Sequence, residues 1–434
     1  MNPPDVASVT LRKVTLRLIP FLFILYIVAW LDRVNVGFAG LQMNADLGFS
    51  STAFGFGSGV FFLGYCLFEV PSNLVLHRVG ARRWISRIMI SWGVISAAMM
   101  FVRTASTFYV LRFLLGAAEA GFFPGVVYYL SHWYPEGQRA RAIAAFMTAV
   151  PVSGVIGGPL SGALLTLNGL FGLAGWQWLF MAEGVPAILL GVVVLVYLTD
   201  RPETADWLSS AEKDWLMSRL AAERTSHHGA LSVSVFTALM NPTIWHLGVI
   251  FLFAAIGFYG YSFWAPLVVK SLTGSSDLGV GAILGGISAV TIIMMVLNSA
   301  HSDHTDERPL HVAVPLLISG AGFFGCAILR ERILAVFFLA LVPIGHCAAY
   351  GPFWSMPSRF LTGAPAAAGI ALVVTIANVG GLVGPTIIGA MKDHFGTHGP
   401  AFMLLGACAI LAALLAMALG RVPALRSAQA SNLV

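Results

Sequence analysis

Asp32 and Arg33 stand side by side, with Asn35 in the same turn, inside an apolar run from Leu18 to Phe38 that is long enough to span a bilayer. A charge at bilayer depth costs about 2.5 to 3.5 kcal/mol on insertion scales, so such residues usually face a protein-lined cavity and mark a pathway. A second run, Phe108 to Leu130, repeats the situation with Arg112 and Glu119. Seven residues make two helical turns, so this pair shares a helix face at a separation of about 10 Å. A guanidinium presents a planar fork suited to a carboxylate and stays charged at any working pH. A carboxyl group in poorly hydrated surroundings can instead protonate near neutrality. One residue type can therefore hold an anion while the other exchanges protons, which is what a proton-linked carrier of an organic anion needs. The competing reading is structural: an ion pair of Asp32 or Glu119 with Arg112 that locks helices together, or an Arg112 that holds Glu119 ionised.

These residues need oily helices to position them, and the composition supplies them. Of 434 residues, 58% are hydrophobic and 10% charged, against about 25% charged in an ordinary soluble domain. This is an all-α integral membrane protein. Apolar stretches near 20 residues in length begin near residues 17, 53, 84, 107, 139, 176, 243, 277, 310, 333, 366 and 400, which predicts twelve spans. The first run is too long for a signal-peptide core and contains Asp32, so no cleavable signal is expected. Cys66, Cys326, Cys347 and Cys408 lie in apolar segments without metal-type spacing and read as small core residues. No cofactor or metal is implied.

Charge sets the orientation. With the N-terminus inside, 17 of the 24 Lys and Arg fall on the inner side, 5 on the outer side and 2 within the membrane. The positive-inside rule then puts both termini in the cytoplasm of a cell whose inner (plasma) membrane holds the chain. No basic stripe interleaved with aromatics suggests nucleic acid. The expected partners are the lipid bilayer, protons and a small organic carboxylate, with the protein acting as a monomer.

One long polar interruption, Thr199 to Asn241, follows six spans and precedes six more. The organisation expected is a first six-helix half over 1–198, a central loop over 199–242 and a second half over 243–434. Within the loop, SSAEKDWLMSRLAAER reads as an amphipathic helix whose Trp207, Leu208, Trp215, Leu216 and Leu220 lie on the membrane surface or the protein body. Ser209 or Ser210 followed by Glu212 and Asp214 marks its start. Internal repetition supports the division: Gly154, Gly158 and Pro159 form GxxxGP in the fifth span, and Gly380, Gly384 and Pro385 form it again 226 residues later. FLF at Phe21 recurs at Phe251, an offset of 230. Two such halves place a site between them at mid-depth.

The runs YIVAWLDRVNVGFA, GYCLFEVPSN with HRVGARRW, RFLLGAAEAGFFPG, GWQWLF with EGVP, GPFWSMP and NVGGLVGP together resemble the anion:cation symporter family of the major facilitator superfamily, in its tartrate-permease flavour. The resemblance implies the major facilitator fold and residue roles. Arg33 would grip the substrate carboxylate, and Asp32 and Glu119, with Arg112 beside them, would handle protons. Tyr65 and Asn378 would bind the substrate's hydroxyls or second carboxylate, and Trp354 would close the cavity. The ordinary alternative for Tyr65 and Trp354 is core packing with a tethered polar tip.

Other charged residues read more plainly. Glu69 and Glu183 are expected in gate salt bridges. The loop NLVLHRVGARR carries Asn73 and His77 where the superfamily has Gly and Asp, which puts the usual Asp-based charge relay in doubt there, while Asp303, Glu307 and Arg308 supply one in the second half. His301, Asp303, His304 and His311 fit a solvated turn better than a metal cluster. The fifth-span stretch FMTAVPVSG lacks the glutamine that sugar-acid members carry, which favours a compact dicarboxylate such as tartrate, or an aromatic carboxylate, over a long polyhydroxy acid. A drug:proton antiporter is the alternative, since GxxxGP resembles the signature of such exporters; the fixed charge of Arg33 argues against a cationic drug. A multi-span enzyme would need a nucleophile and base or a metal site. A sensor would need a soluble output domain. ATP-driven transport would need GxxxxGK[ST], which does not occur.

Overall fold

The computed structural model describes residues 3–227, 239–329, 331–357 and 363–420. Among the described residues, twelve helices are long and apolar enough to cross a membrane. Helices are the form these runs demand, because within hydrocarbon each backbone N–H and C=O must be paired inside the protein, and continuous apolar runs of about 20 residues do so as helices. The spans are Val6–Leu47, Ser51–Val79, Ala81–Phe101, Ala105–Ser131, Glu136–Leu165 and Gly175–Tyr197, then Pro242–Thr273, Asp277–Thr305, Pro309–Ile328, Arg332–Ser355, Ala368–Phe395 and Gly399–Leu419. They are numbered 1 to 12 below. The N-terminus and the even-to-odd connections lie on one face, called terminal here, and the odd-to-even connections on the other, the distal face.

Short connections with explicit caps define the distal face. Ser50 accepts the Ala53 N–H at 3.1 Å to start span 2, and Ser276 accepts the Gly279 N–H at 3.1 Å to start span 8. Both satisfy donors that a helix start leaves unpaired.

Spans 4, 5 and 10 are interrupted among the described residues. Span 4 was expected to run unbroken through Phe108 to Leu130, but its first segment ends at Glu119 and Gly121 turns left-handed at φ 89°. The freed Ala120 carbonyl accepts the Ser72 hydroxyl at 2.6 Å, and Trp84 Nε1 donates to the same hydroxyl oxygen at 3.0 Å. A Cβ on Gly121 would sit 2.3 Å from Ser72 Oγ, so glycine is required by space as well as by φ. Span 5 has a milder interruption at Thr148, between segments Glu136–Met147 and Ala149–Leu165, and span 10 at Ala349, between Arg332–Ala348 and Tyr350–Ser355; at both the backbone stays right-handed.

Within the first six spans, helix pairs 2–4, 3–6, 1–5 and 1–6 pack together; within the last six, pairs 7–11, 9–12, 9–10, 8–10 and 7–12 do. The two groups meet through pairs 2–11, 5–8 and 1–7. Small residues permit that approach. Gly55 faces the Pro385 carbonyl, Gly389 the Ser51 carbonyl, and Gly158 the backbone of Gly281, each too close to admit a Cβ. The repeated GxxxGP therefore packs in two ways: Gly158 abuts span 8 of the other group, whereas Gly384 abuts Ile256 and Gly260 of span 7 in its own. Polar bonds join the groups at the same end. Asp393 accepts from the N–H of Ser51 at 3.0 Å and of Thr52 at 2.7 Å, and Gln42 donates to Asp277 at 2.8 Å. The distal face is sealed.

On the terminal face the central-loop helix, Ser210–His227, begins as expected. The Ser209 N–H donates to Glu212 at 2.8 Å and the Glu212 N–H to Ser209 Oγ at 3.3 Å, a reciprocal cap. It docks on the protein body: Leu208, Leu216 and Leu220 are buried, Trp207 stacks on Trp133 at 5.2 Å, and Lys13 pairs with Glu212 at 2.6 Å. Positions 228–238 of the loop lie outside the described residues.

Candidate functional site

At mid-depth Arg33 of span 1 makes a hydrogen-bonded ion pair with Glu119 of span 4. The break at Gly121 ends the helix immediately after Glu119. Arg112 and Glu119 lie in one helical segment and are both buried, but the direct partner of Glu119 is Arg33 and not Arg112. Arg112 is fully buried and donates from Nη2 to the Ser58 carbonyl at 3.1 Å. Its guanidinium lies 5.0 Å from the Phe61 ring and 5.8 Å from the Phe263 ring.

Aromatic rings surround Arg33: Trp30 at 5.0 Å, and Phe61 and Tyr65 each at 5.4 Å. A cation over ring faces is stabilised by their quadrupoles and keeps its in-plane N–H groups for an anion. The side chain is 12% exposed against 2% for Glu119, so a ligand reaches the arginine first. Tyr259 of span 7 and Tyr350 of span 10 bring phenols towards it from the other group of helices, and Tyr26 stacks on Phe146 at 4.4 Å on the near side. The sequence reading passed over Tyr259 and Tyr350; phenols inside otherwise apolar spans were the available signal.

Asp32 points elsewhere, as its position 100° further round the helix requires. The Ser96 hydroxyl donates to its Oδ1, and Asn35 Nδ2 does so at 3.3 Å. Asn378 is buried with Nδ2 unpartnered, and it adjoins Cys66, the neighbour of Tyr65. Trp354 packs edge-on against Phe251 and Phe353 at 4.9 and 5.1 Å. These rings belong to a second apolar cluster, which meets the one around Arg33 where Phe251 lies 5.8 Å from Tyr350. Arg33, Glu119, Tyr65 and the phenols of Tyr259 and Tyr350 form one cluster, with Asn378 at its edge and Asp32 and Arg112 behind it.

Glu69 and Glu183 were expected in gate salt bridges, but among the described residues neither makes an ion pair. Glu69 is half-buried; Glu183 is 4% exposed and accepts the Ser161 hydroxyl at 3.0 Å in the interior of the first group. In the NLVLHRVGARR loop the carboxylate comes from the end of span 6: Asp200 accepts the Arg82 N–H at 2.8 Å. In the second-half loop, Arg308 pairs with Asp303 at 2.7 Å. His311 contacts Glu307 at 2.7 Å and His301 at 2.6 Å. Among the described residues no group of three or more His, Cys, Asp or Glu is arranged to hold a metal ion.

Known proteins share this architecture. The model of the Major Facilitator Superfamily matches residues 22–385. A protein of Agrobacterium vitis named "Putative tartrate transporter" is 47% identical over 417 residues, 96% of this chain and 92% of that one. A "Quinolone resistance transporter" of Acinetobacter baumannii is 40% identical over 392 residues, 90% of each chain. Among solved structures, a bacterial homologue of the human lysosomal transporter Spinster, inward-facing and unoccupied, superposes with a TM-score of 0.73 at 18% identity, covering 98% of this chain and 97% of that one.

Proposed function

This chain belongs to the major facilitator superfamily, a multi-pass membrane transporter and not an enzyme, and we propose that it imports a small organic carboxylate together with protons by alternating access. The observation that carries this reading is the Arg33–Glu119 pair. A substrate carboxylate and the Glu119 carboxylate compete for one guanidinium fork. Protonating Glu119 releases the fork to the substrate, and losing the substrate returns it to Glu119. Proton and anion are then bound together and released together.

The energetics favour that arrangement. Bringing a monovalent anion into an inside-negative cell costs about 2.3 kcal/mol per 100 mV, and a co-transported proton cancels the cost. Arg33 serves as the carboxylate clamp, with Tyr65 and Asn378 meeting the far end of the substrate and Trp354 covering it. Asp32 and Glu119 serve as proton sites, with Arg112 the fixed charge behind them. The working units are 1–198 and 243–434, joined by 199–242, in a monomer of the inner membrane with both termini in the cytoplasm. On that orientation the sealed distal face is the outer one.

The relative named for tartrate supports a compact dicarboxylate as substrate. The relative named for quinolone resistance favours a second reading, drug export against protons. A quinolone also bears an aryl carboxylate, so Arg33 would hold the anion in either case and only the direction of coupling would differ. The deciding experiment reconstitutes the full chain in liposomes and measures labelled tartrate, phthalate and a fluoroquinolone under a pH gradient of either sign. Tartrate accumulation driven by inward proton flow, and abolished by a protonophore, is expected. Fluoroquinolone movement opposite to the protons, with no tartrate uptake, would replace import by export.

A further inference from the structure

We propose that Glu183 and Asp32 form one buried proton-binding pair, with the proton resident on Glu183 when Asp32 is ionised; its part in coupling rests on the proton-symport reading above. The pair lies on the face of span 1 that carries Asp32, away from Arg33. Asp32 is 1% exposed, Asn35 1%, Ser96 0%, Ser161 3% and Glu183 4%. Each carboxyl group receives its hydroxyl on one oxygen only: Ser96 on Asp32 Oδ1 and Ser161 on Glu183 Oε1. Asn35 adjoins both, donating to Asp32 and neighbouring Glu183. Three buried acceptors remain without a donor: Asp32 Oδ2, Glu183 Oε2 and Asn35 Oδ1.

Buried acceptors without donors are rare and need a physical explanation. The unpartnered atoms of Asp32, Asn35 and Glu183 are all acceptors, and the nearby orphan donors, Arg112 Nε and Nη1, form no ion pair with either acid among the described residues, so what the two acids lack is hydrogen. A protonated carboxyl supplies one O–H donor while keeping acceptor capacity, so one proton on Glu183 satisfies an orphan oxygen and removes one of two like charges that burial makes costly. The groups facing Glu183 do not replace it. Span 1 presents Asp32 and Asn35, span 3 presents Ser96, and span 5 presents Ser161. Arg112 and Glu119 of span 4 act on Asp32, and Arg112 does not pair with Glu183. Transfer breaks the O–H bond of Glu183 and forms one on Asp32, moving the negative charge to Glu183 with the pair's total unchanged.

The site touches the seal between the helix groups. Ser161 lies between Gly158, whose Cα faces the Gly281 carbonyl, and Gly162, whose Cα faces the Asp277 carbonyl. Ionising Glu183 thus changes the bonding of the residue between the two glycines on which span 8 rests.

The test is infrared spectroscopy of the purified full chain in nanodiscs, without substrate and without sodium, because a protonated carboxyl has a C=O stretch that vanishes on ionisation. The difference spectrum of wild type minus Glu183→Gln is expected to show one buried carboxylic-acid band at neutral pH, and Ser161→Ala, which removes the donor to Glu183, to shift that band. No band in the difference spectrum, or a band indifferent to Ser161→Ala, overturns the proposal. Loss of the wild-type band on adding sodium chloride overturns it too, by assigning the oxygens to a metal cation. In liposomes, Glu183→Gln is expected to lose pH-driven tartrate accumulation; full accumulation would remove the pair from coupling. Absence of tartrate uptake by the wild type would sink the functional reading alone, since the infrared band decides the pair independently.

Discussion

Asp393→Ala should loosen the distal seal without disturbing either helix group. Asp393 accepts from the first two N–H groups of span 2, at 3.0 and 2.7 Å, across the boundary between the groups. Hydrogen bonds to a charged group are each worth about 1.5 to 3 kcal/mol, and a carboxylate at a helix N-terminus adds about 0.3 to 1 kcal/mol. Asp393 is exposed, so solvent screens the charge and water replaces the lost bonds. A net loss of about 1 to 2 kcal/mol remains, which shifts the ratio of sealed to open forms by about 5- to 30-fold. Hydrogen-exchange mass spectrometry in nanodiscs reads this as faster exchange over residues 51–62 by that factor. Glu331→Ala is the matched control. Glu331 caps span 10 with the same kind of bonds, to the N–H of Ile333 at 3.1 Å and Leu334 at 2.7 Å, but within one helix group. Those bonds hold its carboxyl below the ordinary range. Equal exchange over 51–62 in Asp393→Ala and wild type would mean that the seal rests on glycine packing alone, and the reasoning would be refuted.

Gly281→Ala should have the opposite origin and a larger effect, because its Cβ would lie 2.1 Å from the Gly158 carbonyl, which is backbone and cannot yield. The variant should favour the distally open form, seen as raised exchange over residues 277–285; unchanged exchange would contradict that packing. Glu119→Gln, a mimic of the permanently protonated acid, should lose pH-driven tartrate accumulation much more than counterflow; equal loss of both would make Glu119 a structural or substrate-binding residue. Docking of the central-loop helix should fail in acid. Burial works to raise the Glu212 carboxyl, but hydrogen bonds from Lys13 and Ser209 and the Lys13 charge outweigh it and leave it below the ordinary range. The docking contribution is therefore complete above the unfolded value, about 4.3, and is lost as pH falls through the lower folded value. Limited proteolysis between residues 199 and 227 should accelerate in that window for wild type, and at neutral pH for Glu212→Gln; a variant as resistant as wild type would refute the role of the pair.

The spans were legible because membrane insertion is a property of length and apolarity, which a chain displays locally. The start of the central-loop helix was legible for the same reason, since Ser209 and Glu212 are three residues apart. The divergence of Asp32 from Arg33 followed from helical geometry. Partner choice between helices was not legible. Arg112 stands on the same helix as Glu119, yet Arg33 takes the bond, because helix rotation and the break at Gly121 decide which side chains meet. Gly121 and Pro124 in AGFFPG were a visible warning of that break. Glu183 was misplaced as a gate residue because its surroundings come from three other spans, and no local pattern reports them. Asp200 was missed for the same reason, being 118 residues from Arg82.

The central claim is that Arg33 holds a substrate carboxylate by its forked geometry, and tartrate binding to purified wild type and Arg33→Lys, measured by calorimetry at fixed pH, tests it most directly. A lysine keeps the charge but cannot offer two parallel N–H bonds. The account predicts that Arg33→Lys inserts and folds with wild-type helicity and loses most of its affinity for tartrate. Wild-type affinity in Arg33→Lys would contradict it.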